Sequence, residues 1–393
     1  MNTDQQADVF VVIAVLPDPL QQSSLRHLLQ QSLPHWQCYF VNDARAARAL
    51  LKDTAVTLLL TQWLQPDDNA DLLLDFACRH SPATVRVLLA AQDTDPLLLA
   101  TNHAAQTVMA EPVSDQQFIA LFRRVEQLYN GHFTAHSRYQ LGQINSLPIQ
   151  RSHYQTLLQL LADPDSPTQA LATCIAREAP LAAKLIQIAN SAYLGFNRQT
   201  IDLTEVVTRL GRSMIKAVAF AVQLHSQYEG KIRADLHQQL LNESFELAAM
   251  TSQLAKTQQG GPAVAEKAFL AGLLQVLGPL VLLSAMPQQA QRLTEEDMFQ
   301  EGIPDHCLIS AYLLLLWGFE QDICDAVMFR LSLNEVAQPS LLQTIMHLSS
   351  YVLMFRRQQQ DDTLPTPCWT ALAQFQLTDT FCRLQQHTAE HES

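Results

Sequence analysis

Five short apolar runs, each separated from the next by an amphipathic segment, constrain the first third of this chain more than any other feature. They are "VFVVIAVL" (9–16), "WQCYFVN" (36–42), "VTLLLT" (56–61), "TVRVLLAA" (84–91) and "QTVMA" (106–110). Between them lie stretches with helical spacing: "LQQSSLRHLLQQS", "ARAARALLKD", "DLLLDFACRH", "PLLLATNHA" (96–104) and, closing the series, "SDQQFIALFRRVEQLYN". Strands joined through helices must run parallel, because a helical crossover returns the chain to the same end of the sheet. A sheet with helices on both faces buries both sides of its strands, which accounts for near-continuous apolar runs. Residues 1–130 are therefore expected to form an α/β domain around a parallel five-stranded sheet.

The period then changes. Residues 131–146 are polar and aperiodic and read as a linker. From Leu147 onward the apolar spacing is helical throughout, so residues 147–340 are expected to form an all-α domain and 341–393 a C-terminal helical extension with a frayed tail. The stretch "AFLAGLLQVLGPLVLLSAM" (268–286) is long enough to cross a bilayer. Gly278-Pro279 interrupts it and basic or aromatic anchors are missing, so it reads as two buried helices and not as a membrane span.

Charge and cysteine usage narrow the function classes. A net charge of −13 disfavours binding to a phosphate backbone. Seven cysteines occur singly without any CxxC, the pattern of reduced thiols, and no basic-then-apolar leader opens the chain; a cytoplasmic protein is expected. No glycine-rich phosphate loop, nucleophile elbow or Cys/His catalytic setting is present, so no cofactor is expected.

The element order of residues 1–130 resembles the response-regulator receiver domain, which has the flavodoxin-like fold. That resemblance implies an acidic pair after the first strand, a phospho-accepting Asp after the third, a hydroxyl after the fourth and a Lys-Pro after the fifth. Together such groups bind Mg²⁺ and the incoming phosphoryl group. Here Leu16 and Pro17 stand at the acidic pair and only Asp18 remains. "TQWLQP" places Gln62 at the acceptor position, followed by Trp63 and the matching Pro66. Ala90 falls at the hydroxyl position, and Glu111 replaces the Lys before Pro112. The scaffold signals match and the reactive ones do not, which implies a pseudo-receiver unable to accept phosphate. The stripe Phe118, Ile119, Phe122, Val125 and Leu128 either faces the sheet or pairs with a second copy in a homodimer.

Residues 147–340 resemble the HDOD domain, an HD-related output domain of bacterial signalling proteins. The most specific pieces are Asn190-Ser191 after one helix and Leu210-Gly211 closing the next, all read as mainly structural. An HD phosphohydrolase needs His and Asp ligands for a metal-activated water. At the corresponding positions this chain has Glu243, Gln275, Val276 and Arg330, leaving His306 alone, so no metal is expected. Arg209, Arg212 and Lys216, on consecutive helical turns, read as a solvated basic face, with binding of a nucleotide or an acidic partner as the alternative.

The resemblances imply a non-catalytic signalling protein that acts by protein–protein contact. Its partners would be a histidine kinase, a cyclic-di-GMP enzyme or another regulator of a two-component circuit. The competing readings are a nucleotide sensor, for example of cyclic di-GMP in the metal-free HDOD cavity, a DNA-binding regulator and a residual HD phosphohydrolase.

Overall fold

The computed structural model describes residues 10–62, 70–91, 104–144, 155–190, 198–228, 230–258, 261–285, 302–357 and 367–390. Trp63, Pro66 and Ser191 lie outside these residues, as does the helix expected over 96–104 except for Ala104. The chain divides into two compact units, Met1–Ser152 with Leu315–Gly318, and His153–Leu314 with Phe319–Ser393.

The first unit holds five parallel strands, β1 (Phe10–Val15), β2 (Trp36–Val41), β3 (Leu58–Gln62), β4 (Val85–Ala91) and β5 (Thr107–Glu111), in the order β2-β1-β3-β4-β5. Its helices are α1 (Pro19–Ser32), α2 (Ala44–Asp53), α3 (Ala70–His80), α4 (Asp115–Asn130) and α5 (Ala135–Gly142). Short polar side chains start them where the strands end. Asp18 Oδ1 accepts from Leu20 N at 2.9 Å before Pro19, Asp43 accepts from Ala46 N, and Ser114 with Gln117 forms a capping box.

Alternation along β1 divides its side chains between two cores. Val11, Ile13 and Val15 join Ala47, Leu51, Leu73, Leu74 and Ala77 of α2 and α3. On the other side Phe10 stacks on Trp36, and Trp36 meets Phe122 of α4 edge-on at 4.6 Å. Phe122, Val125 and Leu128 are thus spent on this unit's own sheet, while Phe118 and Ile119 are half-buried.

The stretch expected as a linker contains α5, which packs on the first unit. Its anchor is Arg86, a charge inside β4 that is fully buried. Arg86 Nη2 donates to Gly142 O at 2.9 Å, and Nε and Nη1 donate to the carbonyls of Ala104, Pro82 and Thr84. A Cβ at Gly142 would lie 1.7 Å from Pro82 O, so the helix end reaches this position only as glycine. Polarity suggested a linker because the tie is made by one distant arginine and by backbone atoms.

The second unit is helical: α6 (Gln155–Ala162), α7 (Thr168–Ala176), α8 (Ala179–Ala189), α9 (Leu203–Tyr228), α10 (Ala234–Thr257), α11 (Gly261–Leu274), α12 (Leu277–Ala285), α13 (Asp305–Leu316), α14 (Gln321–Met328), a 3₁₀ turn (Leu333–Glu335), α15 (Leu341–Arg357), α16 (Trp369–Gln374) and α17 (Thr378–Glu390). The apolar 261–284 stretch is long enough to cross a membrane, but it is broken between α11 and α12 and is mostly buried among its neighbours. Helices α10 and α11 approach so closely that a Cβ on Gly272 would sit 2.6 Å from Ala248 Cα.

Two sequence expectations change here. The tail is helical to Glu390, held by Phe381, which is buried against Tyr351 and Trp369. Arg209 and Arg212 are also not a solvated face. Arg212 donates to the carbonyls of Leu160 and Ser166 at 2.6 and 2.5 Å, and Arg209 binds Arg198 O and Glu205. Arg212 ties α9 to the end of α6 and the turn after it, and Arg209 ties α9 to the segment just before it. Lys216 is exposed.

Candidate functional site

At the carboxyl end of the sheet, β3 and β5 flank β4, with Gln62 in register with Leu89 and Glu111 with Ala91. Gln62 and Glu111 therefore meet across β4. The Gln62 amide Nε2 donates to Glu111 Oε1 at 2.6 Å and to Gln21 Oε1 of α1 at 2.6 Å. Asp18 is committed to capping α1, Leu16 is buried, and Leu16 O accepts from Gln22 Nε2. Pro17 is exposed and offers no ligand. Of the positions that resemble a receiver's reactive set, Gln62 and Glu111 are brought into contact. Neither an amide nor this pair supplies a phosphate-accepting nucleophile.

Ala90 does not lie beside Gln62 and Glu111. Its methyl belongs to the apolar cluster with Leu88, Leu59 and Ala77 on the α2/α3 side. The β4 position beside Glu111 is 91, one residue on, and a one-residue slip changes the face. That position is also an alanine.

In the second unit the expected site residues separate into two groups. Asn190 closes the α8–α9 connection: Nδ2 donates to Thr200 O at 2.7 Å and Oδ1 accepts from Thr200 N at 2.8 Å. Gly211 breaks α9 with φ +74° and ψ 165°, a conformation that a side chain disfavours. Glu243 stands on α10 and accepts from Gln239 Nε2 one turn earlier.

Gln275, Val276, His306 and Arg330 sit around the start of α13. Gln275 and Val276 form the turn between α11 and α12, and His306 is in the first turn of α13. Ser310 Oγ accepts from Gly278 N and lies 2.9 Å from the carbonyl oxygens of both Gln275 and His306. A Cβ on Gly278 would lie 1.8 Å from His306 O, so only glycine lets α12 meet α13 here. Val276 is simply core. Burial, with the Arg330 guanidinium beside it, pushes the His306 ring down to about 3, which keeps it neutral at physiological pH. Among the described residues, no three His, Cys, Asp or Glu side chains gather as a metal requires.

One residue absent from the sequence reading organises this region. Buried His347 of α15 accepts from Cys368 N at Nε2 (3.0 Å), so its proton is on Nδ1 and is donated to Arg330 O at 2.9 Å. Its only local signal was a His on an apolar helical face, which does not identify its partners.

The family model of the HDOD domain matches residues 147–332. Residues 147–332 are an HDOD domain. An uncharacterized protein of Treponema pallidum (strain Nichols) is 25% identical over 197 residues, 47% of this chain and 38% of that protein. The chain thus matches well under half of that relative's length. Among solved structures, the chain is similar to an HDOD domain protein with unknown function from Geobacter sulfurreducens. The identity is 16%, with 65% of this chain and 96% of that chain covered and a TM-score of 0.46. A Shewanella amazonensis SB2B protein named "Putative phosphohydrolase" matches at 20% identity, with 66% and 95% covered and a TM-score of 0.46.

Proposed function

We propose that this chain is a non-catalytic signalling protein in which a pseudo-receiver of flavodoxin-like fold accompanies the HDOD domain. The observation that carries the reading is the Gln62–Glu111 hydrogen bond at the acceptor position. The parallel order β2-β1-β3-β4-β5 supports it, since flavodoxin-like folds place their chemistry at the strand ends where this pair sits. An amide held by a carboxylate takes no phosphoryl group, and the HD positions Gln275, Val276 and Arg330 offer no ligands for a divalent ion. Signalling then proceeds by contact with another protein in the cytoplasm, a histidine kinase, a cyclic-di-GMP enzyme or a further regulator.

The test is a pair of measurements on the full chain. Incubation with acetyl phosphate and Mg²⁺ is expected to leave it unlabelled, and crosslinking in cells is expected to recover one of those partner classes. Labelling at any residue of the first unit, or metal-dependent turnover of a phosphodiester, would overturn the proposal.

A further inference from the structure

Helix α2 carries its cations in one line. Arg45, Arg48 and Lys52 recur at spacings of three and four, which places them on one face of the helix. The chain has 25 Lys and Arg among 393 residues and a net charge of −13, yet three of its cations fall between positions 45 and 52. The line is not the face that α2 turns to the sheet: Ala44, Ala47 and Leu51 are buried, Arg45 and Lys52 are exposed, and Arg48 is half-buried. The nearest carboxylates in sequence do not interrupt it. Asp43 caps α2 at Ala46 N, and Asp53 is turned about 100° around the helix from Lys52.

The adjoining face of α3 adds apolar and aromatic surface. Lys52 Nζ lies 5.8 Å from the centroid of the Phe76 ring, and His80 stacks on the same ring at 3.9 Å. Leu72, one turn before Phe76, is 59% exposed, while Leu73 and Leu74 are buried in the core. Arg79 pairs with Asp75 one turn earlier. A single exposed leucine needs no explanation. Here it shares a helical face with Phe76, which meets the cation line at Lys52, so apolar and positive surface are continuous.

We infer that the α2/α3 face of the first unit docks an acidic amphipathic helix of a partner protein. Carboxylates of that helix meet Arg45, Arg48 and Lys52, and its apolar stripe covers Leu72 and Phe76. Charge complementarity selects the occupant. At about 1.5 Å of rise per residue, Arg45 and Lys52 stand about 10 Å apart along α2, which is also the separation of carboxylates two turns apart on a second helix. Helices that lie along a protein face present their anchors at this i, i+3, i+7 spacing. A phosphate backbone would meet the same cations, but it has no apolar stripe for Leu72, and its unbroken charge would run past Asp75. The inference rests on the proposed signalling by contact for there being a partner. Its binding measurement is separate from the acetyl phosphate test, so either can fail while the other stands.

The probe is a fluorescent helical peptide with Glu at i, i+3 and i+7 beside a Leu stripe, titrated with the full chain and followed by anisotropy. It is expected to bind below about millimolar concentration and to weaken as salt rises. The same peptide with Lys in place of Glu should not bind. Arg45→Gln/Lys52→Gln should weaken binding about tenfold, and Leu72→Ser about threefold or more. Neither change should lower the melting temperature, because all three side chains are exposed. The inference is overturned if the Glu peptide does not bind in that range, or if the Lys peptide binds equally. Tighter binding of a single-stranded oligonucleotide overturns it too, as does unchanged peptide binding by either variant.

Discussion

The Gln62 amide nitrogen stands 2.6 Å from Glu111 Oε1, across the width of one strand at the carboxyl edge of the sheet. Their contact joins the ends of β3 and β5. The same amide nitrogen also reaches Gln21 on α1, so one side chain links two strand ends and a helix.

Gln62→Asp tests whether the loss of chemistry is local. The new carboxylate faces Glu111 without Mg²⁺ ligands at Leu16 and Pro17, so acetyl phosphate should still leave the protein unlabelled, as mass spectrometry can show. Like-charge contact and two lost hydrogen bonds should lower stability by about 1–2 kcal/mol, measured by urea unfolding. Labelling of the aspartate would mean that the rest of the site is intact.

Asn190→Ala removes both side-chain bonds to Thr200. Leaving that N–H and carbonyl unpaired should cost about 1–3 kcal/mol. Asn190→Asp keeps the acceptor for Thr200 N but turns a carboxylate oxygen toward Thr200 O. It should be milder at acid pH, where the group is protonated, than at neutral pH.

Two glycines should respond for different reasons. At Gly211 a Cβ meets nothing within 4 Å, so Gly211→Ala carries only the cost of its φ of +74°, about 1–3 kcal/mol. At Gly278 the added carbon would enter the backbone of His306. Gly278→Ala should therefore be the more damaging, with soluble expression and melting temperature giving the order. Equal effects would contradict the close approach of α12 to α13.

Acid should destabilise the HDOD domain through its buried histidines. His306 titrates near 3 in the fold against 6.5 unfolded, and burial also lowers His347. The unfolded chain thus binds protons that the folded chain does not. The His306 contribution is fully present above pH 6.5 and is lost as pH falls toward 3. The expected slope is about 1 kcal/mol per pH unit per histidine. The difference between the wild-type and His306→Gln stability curves over that window measures it; parallel curves would show that His306 is not the group responsible.

Much of the architecture is legible along the chain because it is local. Apolar period and Asp or Ser caps mark β1 to β5 and most helices, since strand alternation and helix starts depend on residues a few positions apart. The missing chemistry is legible for a simpler reason: an amide, an alanine and a glutamate cannot become a nucleophile, a hydroxyl and an ammonium in any fold. The HDOD domain was recognisable in the same way, from Asn190, Gly211 and the motifs between them.

What tertiary structure alone decided are the partners of polar groups. The sequence shows Arg86, Arg212 and Arg330 as three similar cations. Only the fold surrounds the first with four carbonyls, ties the second to the end of α6 and to Ser166 beyond it, and buries the third with its Nε–H unpartnered. The face taken by Ala90, the anchoring of residues 135–142 and the two bonds of His347 are of the same kind. Each depends on atoms brought together from distant parts of the chain, and local periodicity carries no information about which distant atom arrives. The sequence by itself determined the order and type of the elements; tertiary packing decided which distant atoms each buried polar side chain meets.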